Sequence, residues 1–268
     1  MIEQIKIGCA STKTTYGHRL DTTLVELNSD AKISGLFTSN KFKSAPVQIC
    51  LDQFEAKMKG KKMLAINAGN ANAATGKKGV SDAKKLIKEI SNLTNISTAQ
   101  ILPFSTGVVG QLLDMKELSS AFNKCFKNLS KNSWDDFAKA IMTTDTKSKI
   151  IKLPFKAGSK KYHIIGIAKG VGMIEPNMAT TLSYVFTDLK IPELTLRKLH
   201  KRICDKTFNA ISIDGDQSPS DSSILVATGS SKVNFKNYSK KIEKDIFSIF
   251  SKLSEKLVLD GEGSTKLL

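Results

Sequence analysis

Residues 180–191 read Thr-Thr-Leu-Ser-Tyr-Val-Phe-Thr-Asp-Leu-Lys-Ile, an almost unbroken β-branched and aromatic run. Such a run is a buried strand, so the rest of the chain must supply layers that cover it. Two runs ahead of it, 150–158 and 160–170, read as a β-hairpin. Behind it, Pro192 opens an amphipathic helix, residues 222–229 read as a strand, and a long helix from 238 ends at Gly261. Upstream, apolar runs at 22–27, 33–39 and 45–51 read as strands, as do the starts of 62–76 and 101–110. Helical spacing covers 81–94, with Ser81 as its N-cap, and 115–130 and 133–142. Strands and helices mix throughout, which places the chain in the α/β or α+β class, with a boundary near 145–150.

Charge and cysteine content narrow the function classes. The 268 residues carry 41 basic and 25 acidic groups, a net charge of +16. Only Arg19, Arg197 and Arg202 are arginine, and the excess is uneven: 27 basic and 14 acidic groups in 1–179, 14 and 11 in 180–268. Base reading favours the planar guanidinium, and the lysines form neither a basic arm nor a basic-aromatic alternation, so no nucleic-acid partner is expected. No apolar run has membrane-spanning length and no secretory leader is legible, so no membrane partner and a cytoplasmic location are expected. Cys9, Cys50, Cys125 and Cys204 form no CxxC pair or Cys/His cluster, so neither a metal module nor a disulfide scaffold is expected.

Four segments are rich in small and hydroxyl residues. Asn67–Gly76 has almost no bulk and reads equally as a ligand approach or as a tightly packed turn. Ser105-Thr106-Gly107 carries a hydroxyl followed by glycine, the equipment of an oxyanion hole, although an ordinary turn has the same composition. Met142-Thr143-Thr144-Asp145-Thr146 closes a helix with hydroxyls suited to capping or to a carboxylate. Residues 168–181 set Lys169, two glycines and a proline before Thr180, where a glycine-containing loop becomes the buried strand. That junction would leave the Thr180 hydroxyl at an edge facing a cavity.

The sequence KGVGMIEPNMATTLSYVFTD resembles the signature of the ornithine acetyltransferase family, bifunctional glutamate N-acetyltransferases / amino-acid acetyltransferases. FTSNKFKSAPV, NAGNANAATG, STGVVG, MTTDT, SIDGDQSPSD and DGEGSTK follow in the family's order, so the resemblance covers essentially the whole chain. It implies an α/β fold with sheets layered between helices, distinct from the N-terminal-nucleophile hydrolases but sharing their chemistry. It also implies self-cleavage between Ala179 and Thr180, giving an α segment 1–179 and a β segment from 180 to 268. Thr180 would be the nucleophile, Thr106 and Gly107 the oxyanion donors, and Thr143, Lys169, Thr180 and Glu262 the substrate-binding set, with Glu262 also at the active site. The implied partners are N-acetylornithine and glutamate, and the α and β fragments with each other, as a heterotetramer in full-length members. No metal or organic cofactor is implied; acetyl-CoA is the second donor of bifunctional members.

Two departures accompany the resemblance. Thr181 stands where the family signature has methionine, and family members continue well past residue 268, so a C-terminally truncated chain is expected. Two other readings stand beside it: an N-terminal-nucleophile amidohydrolase or aminopeptidase, which uses the same residues and passes the acyl group to water, and an inactive truncated fragment that binds polyanions through its lysines.

Overall fold

A computed structural model describes residues 2–130, 133–175, 181–261 and 263. In chain order the strands are β1 (Ile5–Ala10), β2 (Thr22–Leu27), β3 (Lys32–Phe37), β4 (Lys62–Asn70), β5 (Ile101–Val108), β6 (Lys149–Ala157), β7 (Lys160–Lys169), β8 (Leu182–Thr187) and β9 (Ser222–Ala227). The α-helices are α1 (Ala45–Glu55), α2 (Gly76–Thr94), α3 (Met115–Lys127), α4 (Trp134–Ala140), α5 (Glu193–Cys204) and α6 (Ser239–Leu259). The expected α/β class is borne out: there are two sheets, each packed against helices. Two compact units result, one of residues 5–29 and 40–143, the other of 1–4, 30–39 and 144–268.

The first unit holds a sheet of order β1-β2-β4-β5, antiparallel except for the parallel pair β4/β5. Its core draws Ala83, Leu86, Ile87 and Ile90 from α2 and Leu118, Ala121, Phe122 and Cys125 from α3. Both sets repeat at three and four residues, which puts each on one helix face. Gly8 of β1 lets α3 come close, because a Cβ there would lie 1.9 Å from the Cys125 carbonyl oxygen.

The second unit holds a sheet of order β3-β9-β8-β7-β6, in which β8 and β9 run parallel and the other pairs antiparallel. The run read as a buried strand is β8, with all six residues buried. The expected hairpin is β6–β7, closed by a two-residue turn with Gly158 at φ +60°. Helix α6 packs Ile242, Ile246, Ile249, Phe250, Leu253 and Leu257 into the core beneath β6 and β7. Gly166 of β7 makes room, since a Cβ there would meet Ile249 and Leu253 at 2.6 and 2.8 Å.

Two sequence expectations are corrected. Residues 45–51 are not a strand but the body of α1: Pro46 sits in its first turn, and Val47, Ile49, Cys50 and Gln53 line its buried face. A seven-residue apolar run does not separate a strand from a buried helical segment, whereas proline in a first turn favours the helix. Ser81 is not an N-cap, because α2 begins five residues earlier at Gly76 and carries Ser81 in its interior. The boundary expected near 145–150 lies beside the Thr143/Thr144 division between units. Among the described residues no helix is long and apolar enough to cross a membrane.

Candidate active site

In the first unit the small-residue segments lie side by side. Parallel pairing of β4 and β5 sets Asn67 opposite Ser105, Ala68 opposite Thr106 and Gly69 opposite Gly107, with an irregularity at Asn70. The Ser105 hydroxyl donates to Asn67 Oδ1 at 2.6 Å. Side chains alternate along a strand, so Thr106 faces the other way; it is buried, and its hydroxyl has no hydrogen-bond partner among the described residues. Gly107, directly after that hydroxyl, adopts φ +128°, a conformation that L side chains rarely take.

The Asn67–Gly76 loop is held by its own asparagines. Asn70 Nδ2 donates to the carbonyls of Gln111 and Leu112, Asn72 Nδ2 to Gly79 O, and Asn67 Nδ2 to Asn70 O. Asn72 and Ala74 take positive φ, at 45° and 56°. In the same unit Thr143 is half-buried after α4, and Arg19 Nη2 donates to Met142 O at 2.8 Å. The Arg19 guanidinium also lies 3.6 Å from the Tyr16 ring centroid, so one of the three arginines is a structural clamp.

In the second unit Lys169 is the last residue of β7, 4% exposed, and pairs in register with Leu182 at the head of β8. Three further charged residues surround this strand end. Lys149 Nζ donates to Asp145 Oδ1 at 2.6 Å and to Asp260 Oδ2 at 2.5 Å, and all three side chains are at most 9% exposed. Asp145 Oδ1 also accepts the Gly170 N–H at 2.8 Å. Asp260 accepts from the Thr146 N–H at 3.2 Å and from the Thr146 hydroxyl.

Burial alone would raise the Asp145 carboxyl, but the Lys169 and Lys149 charges and the hydrogen bonds outweigh it and hold it below the usual carboxylate range. Asp260 is lowered likewise: burial opposes, and the Lys149 and Thr146 hydrogen bonds win. For Lys169 burial prevails. Burial lowers it, Asp145 and Asp221 push back, and the net shift is downward.

The loop entering β8 is clamped from 212–216. Asp214 Oδ1 accepts the Ile174 N–H at 2.9 Å and the Asp216 N–H at 3.2 Å, and its other oxygen accepts the Met173 N–H. Ser212 Oγ donates to Glu175 Oε2, and Ile213 N–H to Ile174 O, both at 2.8 Å. Replacing Asp214 by alanine leaves two of the loop's amides without their acceptor. Hydrogen exchange at Met173 and Ile174 is expected to accelerate about tenfold, matching roughly 1.5 kcal/mol for hydrogen bonds to a charged group; unchanged protection would show that the loop is held elsewhere.

The expected residues thus divide. Thr106, Gly107 and Thr143 belong to the first unit and Lys169 to the second. Ala179, Thr180 and Glu262 lie outside the described residues; Thr181, next to Thr180 in sequence, is buried, and its carbonyl accepts the Ser222 N–H at 3.0 Å. The sequence reading assigned no role to Lys149, Asp145, Asp260 or Asp214. Three of these sit inside segments it singled out; Lys149 is one lysine among 38. His200 is fully buried between the hydroxyls of Ser34 and Ser223, and burial drops its pKa to about 3. Burial also pushes Cys9 and Cys204 up to about 12, which leaves these thiols poor nucleophiles. An open cleft of about 960 Å³ rimmed by Lys32, Lys190, Lys232 and Lys236 lies beyond the carboxyl ends of β8 and β9, at the other end of the sheet from Lys169, and holds none of the motif residues.

The ArgJ family model matches residues 4–268. The chain is 38% identical over 282 residues to the arginine biosynthesis bifunctional protein ArgJ of Colwellia psychrerythraea, covering 100% of this chain and 66% of that protein. It spans about two thirds of the length of the curated relatives it matches. Among solved structures it superposes on the arginine biosynthesis bifunctional protein argJ of Bacillus halodurans with a TM-score of 0.55 at 27% identity, over 66% of this chain and 92% of that one. It also superposes on the ornithine acetyltransferase complexed with ornithine from Mycobacterium tuberculosis, with a TM-score of 0.53 at 22% identity over 67% and 93% of the two chains, a likeness of fold alone.

Proposed function

Because the chain belongs to the ArgJ family, we propose that it is a self-cleaving acetyltransferase of arginine biosynthesis, moving acetyl from N-acetylornithine to glutamate. The observation that carries this reading is the pairing of Lys169 with Leu182. It fixes a buried cation beside the head of β8, two residues after Thr180 in sequence. A buried ammonium is a point charge suited to the α-carboxylate shared by donor and acceptor.

The proposed chemistry needs no histidine. A threonine hydroxyl is a weak nucleophile and requires a base. Scission of the Ala179–Thr180 bond would free an α-amine on the same residue, with a reference pKa of about 8, close to neutral at working pH. Thr180 Oγ attacks the acetyl carbonyl while its proton passes to that amine. Thr106 Oγ1 and the Gly107 N–H are the proposed donors to the developing oxyanion. The proton returns to the departing amine, ornithine leaves, and an acetyl-Thr180 ester remains. The glutamate amine then attacks the ester and departs as N-acetylglutamate, restoring the hydroxyl. Thr143 and Glu262 complete the proposed substrate-binding set. Neither a metal nor an organic cofactor enters these steps.

Intact mass measurement tests the reading. The expressed chain is expected as two polypeptides, 1–179 and 180–268, and the Thr180→Ala variant as one uncut chain. A wild-type chain that stays whole overturns self-processing. Transfer of label from N-acetylornithine to glutamate separates a transferase from a hydrolase, which would release acetate; labelled acetyl-CoA in place of the donor tests the second activity.

A further inference from the structure

We propose that Lys149 is a positioning residue for Lys169: by bridging Asp145 and Asp260 it keeps the strand end that bears Lys169 receptive to a substrate carboxylate. This rests on the reading above that Lys169 receives the α-carboxylate.

The argument is one of charge and connection. Among the described residues, five ionisable side chains gather at this end of the sheet, the four named above and Asp221. Lys149 faces them from the start of β6, Asp145 from the turn before it, Asp260 from the end of α6, Lys169 from the end of β7, and Asp221 from just before β9. With all five ionised they sum to −1, and without Lys149 to −2. A carboxylate entering such a pocket meets both Lys169 and the carboxylates already there. Lys149 offsets one of these and shares Asp145 with Lys169; in its absence the whole Asp145 charge would fall on Lys169 and compete with the substrate. One unit charge across a short distance at an effective dielectric of about 20 is worth roughly tenfold or more in affinity.

Lys149 also works as a tie. Its ammonium joins positions 111 residues apart in sequence. Asp145 passes the connection on to the Gly170 backbone directly after Lys169. Asp260 caps α6 two residues before Glu262, so the MTTDT and DGEG segments meet on a single buried lysine. In the β6–β7 ladder Lys149 pairs with Ala168, the residue before Lys169, so its link to Lys169 runs through the Asp145 carboxylate and the Gly170 backbone rather than through strand register.

The test measures calorimetric binding of ornithine and of ornithine methyl ester, which differ in the carboxylate charge and cannot donate acetyl. The full wild-type chain is expected to prefer the acid. Lys149→Met is expected to weaken ornithine about tenfold relative to the ester, because both ligands carry the same two ammonium groups and only the acid adds a carboxylate that the lost charge leaves repelled. The Lys149→Met/Asp145→Asn double variant removes the pair together, returns the local sum to −1 and is expected to restore the preference. It serves also if the single variant fails to fold. Equal losses for acid and ester, or a double variant that still lacks the preference, overturn the proposal. Lys169→Met separates the two levels: if it abolishes the preference while Lys149→Met keeps it, the role of Lys149 falls and that of Lys169 stands. If wild type itself shows no preference, the carboxylate role of Lys169 falls and takes this proposal with it.

Discussion

Replacing Gly107 by alanine is expected to cost about 4 kcal/mol, enough to unfold much of the population in mild urea. Two effects add. At φ +128° an L side chain is strained whatever surrounds it, a cost of order 1–3 kcal/mol. The new Cβ would also lie 2.4 Å from the Gly69 carbonyl carbon and 2.7 Å from the Asn70 nitrogen and the Gly69 Cα. These are backbone atoms of the paired strand β4, so no rotamer change relieves the contact, and overpacking of this kind costs a further 1–3 kcal/mol. Gly110 is the control. Its φ is +85°, but a Cβ there meets nothing within 4 Å, so Gly110→Ala should lose only about 1 kcal/mol. Equal urea midpoints for the two variants would mean that β4 and β5 are not in close contact at this point. The contrast bears on function as well, because the same close approach shapes the backbone beside the Thr106 hydroxyl.

The second large effect belongs to Lys149, read as stability rather than as binding. Lys149→Met leaves the buried Asp145 and the half-buried Asp260 without their shared cation, and breaking a buried pair by removing one partner costs about 3–5 kcal/mol, the lower end applying where one partner is half-buried. Its pH dependence should differ in sign from that of wild type. In wild type both Asp145 and Asp260 are held below the ordinary carboxylate range. Their contribution is therefore complete above the unfolded value of about 4, and is lost as pH falls through their lower folded values. In the variant, Asp260 keeps only the Thr146 donors while burial still raises it. A carboxyl raised in the folded state penalises folding at neutral pH and regains stability as pH falls through its folded value. Melting temperatures measured from pH 8 to pH 5 should thus rise for Lys149→Met and stay nearly level for wild type. Parallel curves would show that Lys149 does not govern these carboxyls.

The secondary structure was legible wherever a local rule had no rival. The hairpin 149–169 follows from two alternating runs around Gly158, and α5 from the amphipathic spacing after Pro192. The 45–51 run failed because a short apolar stretch satisfies two periodicities at once, and α2 was begun too late because Ser81 resembles a cap while Gly76 and Gly79 resemble a loop. Position 79 takes glycine within the helix because a Cβ there would collide with the Thr75 hydroxyl at 1.9 Å and with Asn72 Oδ1 at 2.4 Å, four and seven residues back.

By itself the sequence determined the α/β class, the buried strand β8, the family, and the segments in which chemistry is expected, including Thr106, Gly107 and Lys169. These are properties of neighbours along the chain, carried by periodicity and by runs of small residues. Only the tertiary structure decided that Asp145, Lys149 and Asp260 form one buried network around the strand end bearing Lys169. It likewise decided that Asp214 holds the loop before residue 176, and that the Asn67–Gly76 loop is braced by its own amides. The physical reason is the same in each case. A lysine's role depends on which carboxylates lie within about 3 Å, and here the partner sits 111 residues away, brought in by strand register and helix packing that no local pattern encodes.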